Sequence, residues 1–99
     1  MDNFTDVIED YNYKAEILKA LGHPVRLCIV RGLLQEEGCN VSKMQDCLDI
    51  PQSTLSQHLA RLRNLGLIRG ERDGVRKNYY VTSREAEEII RVLFPEKES

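Results

Sequence analysis

The sequence has no tryptophan, only two histidines and only three cysteines. Cys28, Cys39 and Cys47 make no C-x-x-C pair, and an odd, sparse set is not a disulfide framework. No apolar run approaches the ~18 residues that a membrane-spanning helix requires. Residues 1–10 are acidic and lack the basic and apolar regions of a signal peptide, so a cytoplasmic protein without membrane contact is expected. There is no glycine-rich phosphate loop, no carboxylate pair in a recognisable setting and no Ser–His–Asp arrangement. Ser56 and His58 are neighbours, but two residues apart on a helix they point in different directions. These gaps argue against an enzyme, and no cofactor is expected.

What is present is a chain of 99 residues, 41% hydrophobic and 30% charged, which reads as one domain over 1–99. A chain of this size buries a modest core, and pairing with a second copy would hide more apolar surface. The net charge of −2 speaks against a nucleic-acid partner until it is mapped along the chain. Residues 1–20 carry −3, residues 21–51 carry −1 and residues 81–99 carry −2. Residues 52–80 carry +4. The positive charge lies in one stretch, and the acidic ends would be held away from phosphates.

That basic stretch begins with the segment around which the chain is organised, 50–67. Leu55, Leu59, Leu62 and Leu65 recur at helical spacing and make an apolar back. Pro51 suits a helix start and Gly66 a helix end. The opposite face near the start holds Gln52, Ser53, Thr54, Ser56, Gln57 and His58, all able to exchange hydrogen bonds, and Arg61 and Arg63 follow. A leucine back fastens such a helix to a core, a polar front suits base edges in a major groove, and the arginines suit phosphates. A solvated polar helix face is the plainer reading of the same residues.

The rest of the chain favours the first reading. Residues 3–21 predict a helix with Phe4, Ile8, Tyr11, Ala15, Leu18 and Leu21 on one stripe. It suits equally a helix packed on its own domain and a subunit interface. Pro24 starts a second helix, apolar almost all round and expected to be central. Arg26 and Arg31 should reach the surface there, and Cys28, among Leu27, Ile29 and Val30, reads as a small buried hydrophobe. His23 reads as structural, at the turn before Pro24. Residues 35–40 read as a turn, with Cys39 after Gly38 the most exposed of the three thiols.

A short helix follows from about Ser42, capped by that residue with Gln45 three positions on, and ends at Leu48. Two helices joined by a tight connection, 42–66, make a helix-turn-helix. Residues 67–82 then read as two strands with an Asp73-Gly74 turn signal, and Arg72, Arg76 and Lys77 fall near the tip. The last helix runs from Ser83, a fitting N-cap, to Phe94, with Ala86, Ile89, Ile90 and Leu93 in a stripe. So short a helix at a chain end has little of its own core left to cover, so the stripe is assigned to a two-fold interface with the first helix. Residues 95–99 are expected to fray.

The expected architecture is therefore mainly α with a small β-hairpin, in the order α-α-α-α-β-β-α. It resembles the ArsR/SmtB family of winged-helix repressors, through residues 18–27 (L-K-A-L-G-H-P-V-R-L), 52–68 (Q-S-T-L-S-Q-H-L-A-R-L-R-N-L-G-L-I) and 73–80 (D-G-V-R-K-N-Y-Y). The resemblance implies a homodimer through the first and last helices, 3–21 and 83–94. It implies binding to double-stranded DNA at an inverted repeat, and repression of transcription. By that analogy the polar front at 52–58 approaches DNA and Arg72, Arg76 and Lys77 lie on the wing.

The family's metal sites are not reproduced. The positions of one C-x-C pair fall at Asn40 and Ser42, and residues 82–94 hold no His, Asp or Cys. No metal is expected, and the inducer is unidentified. Two alternatives stay open on the same fold: thiol-responsive repression through Cys28, Cys39 or Cys47, and a protein-interaction module that binds no DNA.

Overall fold

A computed structural model describes residues 3–95; the tail at 96–99, most of the segment expected to fray, lies outside the described residues. Eight elements run in the order α1 (Phe4–Leu21), α2 (Pro24–Gln35), β1 (Cys39–Asn40), α3 (Val41–Leu48), α4 (Gln52–Asn64), β2 (Ile68–Asp73), β3 (Arg76–Val81) and α5 (Arg84–Leu93).

Each helix end has a local cause. Asn3 caps α1 by accepting from the Thr5 N–H at 3.1 Å. His23 caps α2 through Nδ1, which accepts from the Val25 N–H at 3.2 Å, with Pro24 in the first turn where it loses no helical bond. Helix α4 closes in a Schellman turn: Gly66 N–H donates to the Arg63 carbonyl at 2.9 Å and Leu67 N–H to that of Leu62 at 3.0 Å. Gly66 takes φ +75°, which a side chain would disfavour. Ser83 caps α5 by accepting from the Ala86 N–H at 3.1 Å, as its position suggested.

The third helix is capped differently from the expectation. Its N-cap is Asn40, whose side chain accepts from the Lys43 N–H at 3.0 Å, and Ser42 is left exposed within the helix. Asn40 is extended because it also belongs to β1, a two-residue strand where a turn was expected. That strand pairs antiparallel with β3, Cys39 opposite Tyr79 and Asn40 opposite Asn78, giving a sheet of order β1-β3-β2. It is too short to show a period of two in sequence.

The core lies between the helices and the inner face of this sheet. Ile17, Val30, Leu33, Leu55, Leu62, Leu67 and Ile68 are its largest fully buried side chains. Helix α2 is central but one-sided. Ile29, Val30 and Leu33 point inward, whereas Cys28 is exposed and not the buried hydrophobe its neighbours implied. The helical period explains this: Cys28 and Arg31, three residues apart, share the outer face.

Helix α5 also departs from expectation. Ala86 and Ile90 are buried in the chain's own core, at 0% and 3% exposure, because α5 packs against α2. They are not free to meet a partner subunit. The half of the stripe that remains outward is Ile89, half-buried, and Leu93, with Val92 beside it.

Candidate nucleic-acid interface

Helix α4 turns Leu55, Leu59 and Leu62 into the core. Gln52, Ser53, Ser56 and Gln57 are exposed on the other side, and Thr54 is half-buried. Asp49 at φ 54° makes the sharp exit from α3, and Pro51 sets the extended entry to α4. No side chain caps α4, and no acidic residue sits in its first turn. The positive end of the helix dipole therefore faces outward beside the amides of Gln52 and the hydroxyl of Ser53.

The β-hairpin is closed by a two-residue loop, Gly74-Val75, between Asp73 and Arg76, which face each other in register. Gly74 takes φ +63°, and Val75 is wholly exposed at the tip. Arg72 and Arg76 are exposed. Lys77 is half-buried, its ammonium 5.7 Å from the Tyr79 ring centroid. Its stem lies against Gly70, where any Cβ would meet Lys77 Cε at 2.4 Å. Glycine in β2 thus makes room for the lysine on β3.

These two elements meet. Gln52 of α4, Asn40, Ser42 and Gln45 at the α3 end, and Arg76 and Lys77 of the hairpin line one open groove of about 340 Å³. Gln52, Arg76 and Lys77 were expected here from the sequence, whereas Asn40 and the α3 residues Ser42 and Gln45 were not. Their only sequence signal was a polar cluster preceding α4, which does not reveal its direction.

Two residues expected to approach DNA, His58 and Arg61, are engaged within the chain. His58 is half-buried, its ring packed against that of His23 with centroids 4.6 Å apart and planes tilted by 50°, and its Nδ1 lies 3.3 Å from Arg26 Nη1. Burial, then the His23 ring and the Arg26 charge, push its pKa below the ordinary histidine value. Arg26 was expected at the surface; instead its Nε donates to the Ala20 carbonyl at 2.7 Å and its guanidinium lies partly covered. Arg61 donates to the Glu16 carboxylate at 2.7 Å, tying α4 to α1. Arg63 remains exposed.

On the far side, α1 exposes Phe4, Ile8, Tyr11 and Leu18, and α5 exposes Val92 and Leu93. Between the helices runs an apolar groove of about 440 Å³ with Lys14, Glu85 and Glu88 at its rim. The thiols lie between α2 and α3. Cys28 and Cys47 are exposed and Cys39 is half-buried, the reverse of the expected order for Cys39. Pairing of β1 with β3 covers it. Burial, and then the nearby Glu36 carboxylate, push its thiol pKa up.

A helix-turn-helix whose second helix presents a polar start beside a basic two-stranded hairpin defines the winged-helix class. Residues 21–71 match the family model described as a helix-turn-helix domain. The transcriptional repressor PagR of Bacillus anthracis is 41% identical over 81 residues, 82% of this chain and 81% of that protein. Its crystal structure superposes with a TM-score of 0.78 at 35% identity, covering 87% of this chain and 98% of that one. The transcriptional repressor BigR of Xylella fastidiosa superposes with a TM-score of 0.75 at 31% identity, over 98% of this chain and 100% of the other. Reduced HlyU of Vibrio cholerae gives 0.81 at 29% identity, over 92% and 98%. The chain belongs to the ArsR/SmtB family of helix-turn-helix transcriptional repressors.

Proposed function

We propose that the protein represses transcription as a homodimer bound to an inverted repeat in double-stranded DNA. One observation carries the DNA reading: Gln52 at the start of α4 and Arg76 and Lys77 of the hairpin line the same groove. A duplex whose major groove receives α4 would meet the hairpin at the flanking backbone. Gln52, Ser53, Thr54, Ser56 and Gln57 face the base edges, and Arg63, Arg72, Arg76 and Lys77 meet phosphates. His58 and Arg61 act through α4, holding it against α2 and α1.

The dimer is built on the outward half of the α1 and α5 stripes: Phe4, Ile8, Tyr11 and Leu18 with Ile89, Val92 and Leu93. An apolar area of this kind on so small a chain argues for a cover. Two α4 helices would then enter successive major grooves about 34 Å apart. No helix among the described residues is long and apolar enough to cross a membrane, and the protein works where the DNA is, in the cytoplasm.

Selection of bound duplexes from a random library, followed by footprinting, tests the reading. The expected result is a two-fold symmetric site protected over two successive turns. Recovery of no preferred sequence, with no affinity for random duplex at low salt, would refute it and favour the protein-interaction alternative.

A further inference from the structure

Cys28, Cys39 and Cys47 are separated by eleven and eight residues in sequence, yet all three line one pocket of about 270 Å³ between α2 and α3. Its walls are otherwise mainly aliphatic, from Ile29, Leu33, Met44 and Leu48, with the Lys43–Glu36 ion pair at its edge. Gly32 sits in the wall, and nothing lies within 4 Å of where its Cβ would be. The described residues hold no group of three or more His, Cys, Asp or Glu side chains placed to bind a metal ion. The thiols stand around a space lined mainly by carbon. Oxidation of a thiol by peroxide requires no such space, so the pocket favours a ligand with an apolar body.

We propose that this pocket is a receptor site for small apolar electrophiles of the α,β-unsaturated carbonyl class, which the exposed thiols of Cys28 and Cys47 trap covalently. In the step, the thiol gives its proton to water and the thiolate sulfur bonds to the β-carbon of the enone. The C=C π pair moves to the enolate, which takes a proton from water at the α-carbon. No oxidant or reductant is needed, and the adduct is a thioether.

Occupation has a path to the DNA face, an inference that rests on the DNA reading above. Cys47 is on α3, the first helix of the helix-turn-helix, and Cys39 is on β1, paired to β3 of the hairpin. An adduct between α2 and α3 pushes α3 and β1 away from α2. The start of α4 follows α3 through three residues, and the hairpin follows β1. The groove shared by Gln52, Arg76 and Lys77 is then displaced from the α1–α2 scaffold.

The test compares N-benzylmaleimide with iodoacetamide, a small polar alkylating agent, on the whole protein. Labelling rates are followed by intact mass. A site with affinity for the apolar body gives a rate that saturates with N-benzylmaleimide concentration, while iodoacetamide gives a linear one. Gly32→Leu, which fills the pocket, should abolish saturation while leaving the circular dichroism spectrum unchanged. Peptide mapping should place the adduct on Cys28 or Cys47. The labelled protein should bind its selected duplex at least tenfold more weakly. Linear rates for both reagents, or saturation that survives Gly32→Leu, would overturn the site. Saturable labelling with unchanged duplex affinity would overturn the coupling to DNA. Absence of duplex binding by the unlabelled protein would sink the DNA reading and leave the labelling kinetics to decide the site.

Discussion

Arg26 Nη1 lies 3.3 Å from His58 Nδ1, joining the start of α2 to the middle of α4. Arginine can only donate, so His58 accepts at Nδ1 and carries its proton on Nε2. Protonating His58 would remove that acceptor and set a cation against the Arg26 guanidinium and the His23 ring. Its pKa is accordingly held below the ordinary value of 6.5, by burial first and these neighbours second.

The first prediction is acid sensitivity. The unfolded chain takes up a proton at His58 before the folded chain does. The contribution is therefore complete above about pH 6.5 and is lost as pH falls toward the lower folded pKa. Urea melts at pH 7.5 and pH 5.5 should show a stability loss that His58→Gln reduces. An equal loss in both proteins would exclude His58 as its source.

A second prediction concerns the fastening of α4. Leu62 is fully buried on the apolar back of α4, in its last turn. Leu62→Ala should cost about 2–5 kcal/mol, the usual range for a lost buried leucine. Chemical denaturation measures it directly. A cost well under 1 kcal/mol would mean that α4 is not anchored by its leucine face.

The two groups of residues proposed to meet DNA should fail differently. Gln57→Ala should narrow the difference between selected and scrambled duplexes, with little change in salt dependence. Arg76→Ala should weaken both duplexes alike and lower the slope of log affinity against log salt by about 1. Anisotropy titrations over a salt series separate these outcomes, and identical behaviour of the two variants would contradict the assignment.

Dimer formation should depend on side chains that are exposed in the single chain. Leu18 and Leu93 are 60% and 56% exposed, so charge at either costs the fold little. Leu18→Asp and Leu93→Asp should each give monomers by sedimentation with helix content retained, and weaken duplex binding. A variant that still sediments as a dimer would move the interface elsewhere.

Cysteine reactivity offers a further check. Cys39 is half-buried and its thiol pKa is raised by burial and by Glu36. Iodoacetamide at pH 7 should therefore label Cys39 more slowly than Cys28 and Cys47, and Glu36→Gln should speed it. Mass-mapped time courses would show the order.

Much of the fold was legible in the chain because it is written in local periods. Leu55, Leu59 and Leu62 mark the buried back of α4, and Gly66 and Ser83 mark helix ends through backbone needs that few residues meet. The exposed amides and hydroxyls at 52–57 follow from the same helical period. Directions across the molecule were not legible. Period alone places Ala86, Ile90 and Leu93 on one stripe, but only the approach of α2 decides that Ala86 and Ile90 are inside and Leu93 is out.

The sequence by itself determined the helices, the turns and the concentration of positive charge, since each depends on residues within a few positions of one another. Tertiary structure alone decided which arginines are engaged within the chain. Arg61 is held by Glu16 and Arg26 folds back on Ala20 and His58, whereas Arg76 stands beside Gln52 in a shared groove. It also gathered three scattered thiols around one space. Such meetings join residues far apart in the chain, and they are set by how whole helices pack, which no local pattern encodes.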